Sequence, residues 1–439
     1  MTRPKGWLMI MTTISLLIAA CGSDAGETTT TAAGATETTT TTAAAETTTT
    51  TEAEGEEETT TTAGAGEGEP LVFGMILVGP QDDRGWSQAH REAGEYLEEN
   101  LGAEMIVLDK VNPADRPDTT FEQVVDDMVA QGAQLIFATS DDMRDGILAA
   151  AAAHPDVPMI WSTGDNAWEE GENHRADLTN LGNVFSKMEY GKMIAGCAAA
   201  LKTSTGSIGY VGPLINDETR RFVNAAYLGA RYCYENFRGE DPAALRFAVN
   251  WIGFWFHIPG VTLDPTQVTN EFLDGGADVV MSGIDTTEVI VRTGQRAAAD
   301  EVVWAVPFDY RDACAEAPFI CLGVPYFNWG PAYLEIAQSV IDGTFEPTFQ
   351  WLDPDWTDIN NPETSAVGFE KGEALTEEES ASLDEFIAGL ADGSINLWAG
   401  PLNYQDGSVY VPEGETASDT QIWYTKQLLQ GIEGASSAG

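Results

Sequence analysis

Tryptophan, aspartate and serine recur at one kind of place in this chain, the turn that follows a short apolar run. Asp83 and Trp86 come after the run at 71–78, and Ser140 and Asp141 come after 135–138. Trp251 closes the run at 245–251 and Trp255 lies four residues on, while Asp285 and Asp309 follow 278–283 and 302–308. Flat apolar faces combined with a few directed hydrogen-bonding groups suit a planar, uncharged or weakly basic ring, held by stacking without chemistry. Each residue also has a plainer reading. Asp83 is equally suited to cap the helix that starts near Trp86, Trp86 to act as a hydrophobic staple there, and Asp285 to cap a later helix. Trp251 and Trp255, set in WIGFWFHIPG, could pack under a long loop. At least one of the two is expected to face the ligand, and the sequence does not choose between them.

Catalytic patterns are missing from the same turns. The loop 79–85 reads GPQDDRG, without the glycine spacing a pyrophosphate requires. No phosphate loop, nucleophile elbow or H-E-x-x-H helix occurs elsewhere. Adjacent acids such as Asp82-Asp83 and Asp141-Asp142 could flank a glycosidic bond, but a chain with 70 Asp and Glu produces such pairs by composition alone. No catalytic residue, cofactor or metal site is therefore expected. His90, His154, His174 and His257 are widely scattered and no C-x-x-C is present.

The elements that must position these turns alternate as in an α/β protein with parallel sheets. Apolar runs at 71–78, 105–108, 135–138 and 158–161 are separated by helical patterns at 86–101, 119–131 and 142–153. A second unit follows, with helices at 188–202, 217–236, 265–273 and 287–298 and strands at 207–212, 245–251, 278–283 and 302–308. Two such halves in tandem imply a crevice beyond the carboxyl ends of their strands, where ligands of open parallel sheets bind.

The chain has 439 residues, 43% of them hydrophobic, and a net charge of −49. That charge repels phosphate backbones, so nucleic acid is not an expected partner. Of the 70 acids, 59 lie beyond residue 69, so the excess belongs to the folded part, as an acidic and salt-tolerant surface. Residues 1–20 read as an export signal, with Arg3 and Lys5 ahead of a 14-residue apolar run at 7–20. Ile18-Ala19-Ala20-Cys21 resembles a bacterial lipobox, which implies lipidation of Cys21 and an anchor on the outer face of the membrane. Residues 21–69 then form a Thr, Ala and Glu tether; its 46 residues from Asp24 on reach about 40 Å as a random coil. In that oxidising setting Cys197, Cys233, Cys314 and Cys321 are disulfide candidates with three possible pairings; Cys197 with Cys233 and Cys314 with Cys321 is favoured.

Several longer stretches resemble one family. They are VGPQDDRGWSQAH at 78–90, QGAQLIFATS at 131–140, DGGADVVMSGIDT at 274–286, FNWGPAY at 327–333 and a closing run at 392–414. Together they resemble the basic membrane protein group of substrate-binding lipoproteins that serve ABC importers, over about residues 71–434. The resemblance implies a type I periplasmic-binding fold with two lobes joined by three hinge strands. Its N-terminal lobe would take residues 71–184 and 325–345, and its C-terminal lobe 185–324 and 346–434, with hinges near 182–186, 323–327 and 343–347. It also implies a monomer that captures a purine base or nucleoside and passes it to an ABC permease with its ATPase. By position, the ligand-contacting loops of the family correspond to Asp83, Trp86, Ser140, Trp251 or Trp255, Asp285 and Asp309. The nucleoside branch is similar to Asp-Lys-Ser-Phe-Asn after its first strand, whereas this chain has Asp83-Arg84-Gly85-Trp86-Ser87. No counterpart of that branch's ligand-side lysine is evident, which favours a free base. Residues 256–263 look like an insertion at the rim. The competing readings are a sugar or autoinducer receptor and a sensing domain that takes no part in transport.

Overall fold

The computed structural model describes residues 70–437; the export signal, Cys21 and the tether lie outside them. The first half of the chain lays down β1 (Val72–Ile76), α1 (Trp86–Leu101), β2 (Glu104–Leu108), α2 (Phe121–Ala130), β3 (Leu135–Ala138), α3 (Arg144–Ala153), β4 (Met159–Ser162) and β5 (Leu181–Ser186). Then come α4 (Met188–Lys202), β6 (Ser207–Gly212), α5 (Asp217–Asn236), β7 (Arg246–Trp251), α6 (Pro265–Asp274), β8 (Val279–Ser282), α7 (Glu288–Ala297) and β9 (Trp304–Val306). The last part supplies β10 (Gly323–Phe327), α8 (Gly330–Ile341), β11 (Phe349–Leu352), β12 (Val367–Lys371), α9 (Glu377–Ala391), β13 (Leu402–Asn403), β14 (Val409–Val411), α10 (Asp419–Trp423) and β15 (Ile432–Glu433).

Two parallel sheets organise these elements, in the orders β11-β5-β4-β3-β1-β2 and β15-β7-β6-β8-β9. Their central strands are buried on both faces, as in LIFA of β3 and SIGYVG of β6, because crossover helices cover both sides. Each sheet anchors one lobe. A short antiparallel pair, β10 with β12, is bridged to the β9 side of the second sheet at Ala305↔Cys321 and Asp309↔Tyr326.

Helix α4 shows how composition fixes packing. Its sequence MEYGKMIAGCAAALK is rich in Gly and Ala, and twelve of its residues are buried. At Gly196 the backbone of α5 comes so close that a Cβ would overlap the carbonyl of Ala226. A disulfide between Cys197 and Cys233 joins the same two helices, and Cys314 is bonded to Cys321.

One boundary differs from the sequence reading. β11 pairs in parallel with β5 from Phe349↔Asn183 to Leu352↔Ser186, so residues 349–352 belong to the first sheet. The third passage between the lobes therefore follows Leu352 instead of lying near 343–347. The cause is packing: Phe349 stacks on Trp168 of the first lobe at 4.7 Å.

Candidate functional site

A cavity lies between the two lobes, at the carboxyl ends of the strands. Its empty volume is about 370 Å³, at the small end of ligand pockets. Trp86, Ser140, Asp141, Trp255, Asp285 and Asp309 all border it.

On the first lobe, Trp86 is the opening residue of α1 and turns its ring inward. Its Nε1 donates to the carbonyl of Thr139 at 2.6 Å. Edge-to-face contacts with Phe327 at 5.2 Å and Trp329 at 5.5 Å support the ring from behind. His90 stacks on Trp329 at 4.4 Å, and its Nδ1 meets the Tyr333 hydroxyl at 2.7 Å, which in turn meets the Ser162 hydroxyl at 2.7 Å. Burial holds the His90 imidazole well below its ordinary pKa, so this backing stays neutral. Trp86 is both a structural staple and a cavity wall.

Ser140 caps the short turn that carries Asp141, its hydroxyl accepting from the Asp142 N–H at 3.2 Å, and both residues face the cavity. Asp83 does not. Its carboxylate accepts from the N–H groups of Gly85, Ser87 and Gln88 at 2.9–3.0 Å, so it ties down the first turn of α1 from two residues ahead of the N-cap Gly85.

On the second lobe, the loop after β7 delivers Trp255, whose carbonyl accepts from the Asp285 N–H at 3.0 Å. The Trp255 Nε1 is buried without a partner. Trp251 stays behind at the end of β7: its Nε1 donates to the Ala435 carbonyl at 2.8 Å, and it does not border the cavity. Asp309 is fully buried, and neither of its carboxylate oxygens has a partner. Its backbone is left-handed, with φ +71°. Thr163, which also borders the cavity, has φ +85° and an unpartnered hydroxyl. A β-branched residue in that region is strained, and strain of this kind gathers at ligand sites.

Burial pushes Asp285 and Asp309 well above the ordinary carboxyl range; the Asp309 carboxylate raises Asp285 further, while at Asp309 Lys192 pulls the other way and Asp83 and Glu218 add to the rise. Burial also raises Glu218, on the first turn of α5, to about 8, with Arg221 opposing. Asp141 is raised for the same first reason. A protonated carboxyl donates through one oxygen and accepts through the other, which matches the alternating donors and acceptors along the edge of a heterocycle.

Sequence reasoning passed over Thr163, Glu218, Thr219, Phe222, Gly283 and Phe308, which complete the lining. Thr163 and Phe308 sit at strand ends and obey the rule that found the others. Glu218, Thr219 and Phe222 follow β6, on a helix whose Asn216–Thr219 capping box orients its first turn. Lys192 is fully buried in α4, donates to the Ser282 carbonyl at 2.9 Å and lies 3.0 Å from the centre of the Phe308 ring. Its one signal was a lone charge within an apolar helical run.

Residues 71–244 match the profile of the family described as Bmp, ABC transporter substrate-binding protein PnrA-like. The chain is 27% identical over 365 residues to a purine-binding protein of Brucella abortus, covering 83% of this chain and 93% of that protein. It is also 27% identical over 296 residues to a putative ABC transporter glucose-binding protein of Haloferax volcanii, covering 66% of each. Among solved structures, an ABC transporter solute-binding protein from Aeropyrum pernix K1 superposes with a TM-score of 0.60 at 14% identity, covering 81% of this chain and 96% of that one. The fold expected from the alternating pattern is thereby established.

Proposed function

We propose that this protein, an ABC transporter substrate-binding protein of the PnrA-like Bmp family, captures a purine base or nucleoside between its lobes. It then delivers the ligand to a membrane permease and its ATPase. It works as a monomer on the outer face of the membrane, held by a lipid on Cys21 and the tether that follows. No bond in the ligand is made or broken.

One observation carries the ligand assignment. Trp86 and Trp255 reach a single cavity from opposite lobes, and Asp309 presents two unpartnered carboxyl oxygens to the same space. Indole faces supply stacking, and the buried carboxyls supply direction. The purine-binding relative supports the same class. A ligand touching both lobes stabilises the closed arrangement over the open one, so capture shifts an existing equilibrium toward closure.

A second reading draws on a polar chamber of about 570 Å³ that adjoins the cavity and includes Arg144, Asp165, Asn173 and Asn216. Such a surface also suits a sugar or a sugar-like autoinducer, and a glucose-binding protein is among the relatives. A thermal-shift screen of the non-lipidated chain against adenine, hypoxanthine, adenosine, glucose and ribose separates the two readings. Purines should raise the melting temperature and sugars should leave it unchanged. A rise with glucose and none with any purine would overturn the purine assignment.

A further inference from the structure

The two lobes touch directly at a point one residue away from the cavity wall. Gly85 precedes Trp86 and lies against the main chain of Asp285 on the opposite lobe. A Cβ at position 85 would overlap the Asp285 carbonyl oxygen and crowd the Thr286 N–H. The backbone at Gly85 has a negative φ of −150°, so the position demands space and not a left-handed turn. Immediately before it, Arg84 forms an ion pair with Glu316. Glu316 ends the short turn Ala313–Glu316, which the Cys314–Cys321 disulfide ties back to the start of β10.

We propose that Arg84 and Gly85 form a lip that sets how far the cleft closes and how long it stays closed. They act as positioning residues. Neither borders the cavity, and both act through the distance they fix between the lobes. Because Trp86 is the next residue after Gly85, the gap at the lip determines how closely Trp86 can approach Trp255. Any side chain at 85 would stop the lobes short, leaving the walls too far apart to hold a flat ring on both faces. The exposed Arg84 side chain then adds an electrostatic clasp that forms only in the closed arrangement.

The ligand arm of the test rests on the purine reading, and the other arm does not. In the first arm, p-acetylphenylalanine placed at the exposed positions of Asp127 and Ala299 and coupled through its ketone to a hydroxylamine spin label reports the separation of the lobes without ligand. Gly85→Val should lengthen that distance, and Arg84→Ala should broaden its distribution, while Arg84→Lys keeps the native profile. In the second arm, adenine dissociation from Gly85→Ala should be about tenfold faster or more, with association within about twofold of the native rate, since closure follows encounter. Melting curves identify correctly folded variants. If Gly85→Val fails to fold, Gly85→Ala and Arg84→Ala are measured in the first arm instead. Native label distances in the folded glycine variants would overturn the proposal, as would an unchanged adenine dissociation rate. If no purine base or nucleoside binds the native protein while the label distances shift as described, the lip stands and the purine reading falls.

Discussion

Asp309 concentrates the energetic logic of the site. A fully buried carboxyl without a partner is costly, and its left-handed backbone adds strain, so the residue is arranged for a ligand and against its own stability. Asp309→Asn should weaken adenine binding by about 1–3 kcal/mol, read by titration calorimetry, with a native or raised melting temperature. A weaker effect on binding than on stability would return Asp309 to a structural role. The two indoles should behave differently from each other. Trp255→Ala should weaken binding by about 1–3 kcal/mol as a lost stacking face. Trp86→Ala should also cost about 3–5 kcal/mol of stability, because its ring is part of the core beside Trp329 and Phe327. Glu218 gives a pH signature. Its pKa is raised from 4.5 to about 8 in the folded protein, so the native state holds a proton that the unfolded state has lost across that window. Stability from this group is present below pH 4.5 and declines as pH rises toward 8. Glu218→Gln should therefore flatten the fall in melting temperature between pH 5 and 8; parallel curves for the two proteins would show the assignment to be mistaken.

At the scale of elements, much of the fold was legible. The sequence pattern placed α1 at 86–101, β3 at 135–138, α4 at 188–202, β6 at 207–212 and α5 at 217–236, and the structure has the same limits. These are long amphipathic or fully apolar segments whose periodicity is a local property. β11 was not legible, since its four half-buried residues carry no sign of which sheet edge they will join. The site divides the same way. Strand-end residues such as Ser140, Trp255, Asp285 and Asp309 could be found from position, whereas the backbone strain at Thr163 and the burial of Lys192 beneath Phe308 arise only from tertiary packing. Asp83 and Trp251 show the limit of the positional rule, because a strand end also needs caps and edge contacts. The α4–α5 pair carries its own prediction. The Cys197–Cys233 link closes a loop of 36 residues, and replacing both cysteines with Ala should cost about 4 kcal/mol of stability by loop-closure entropy, measured by denaturant unfolding.

At the scale of the whole molecule, charge dominates. With a net charge of −49, mutual repulsion opposes the compact state at low ionic strength, and screening relieves it. The melting temperature should climb as sodium chloride is raised from about 0.05 to about 0.5 M, where the Debye length falls below about 5 Å. A flat or falling curve would mean that the acids are already balanced by local pairing. The rim of the cleft offers a practical use. The Arg84 side chain is 59% exposed, yet its partner Glu316 sits on the other lobe. A solvatochromic dye attached there would move from water to a crowded protein surface whenever the jaws come together, and its colour would turn the receptor into an optical gauge of its own cargo.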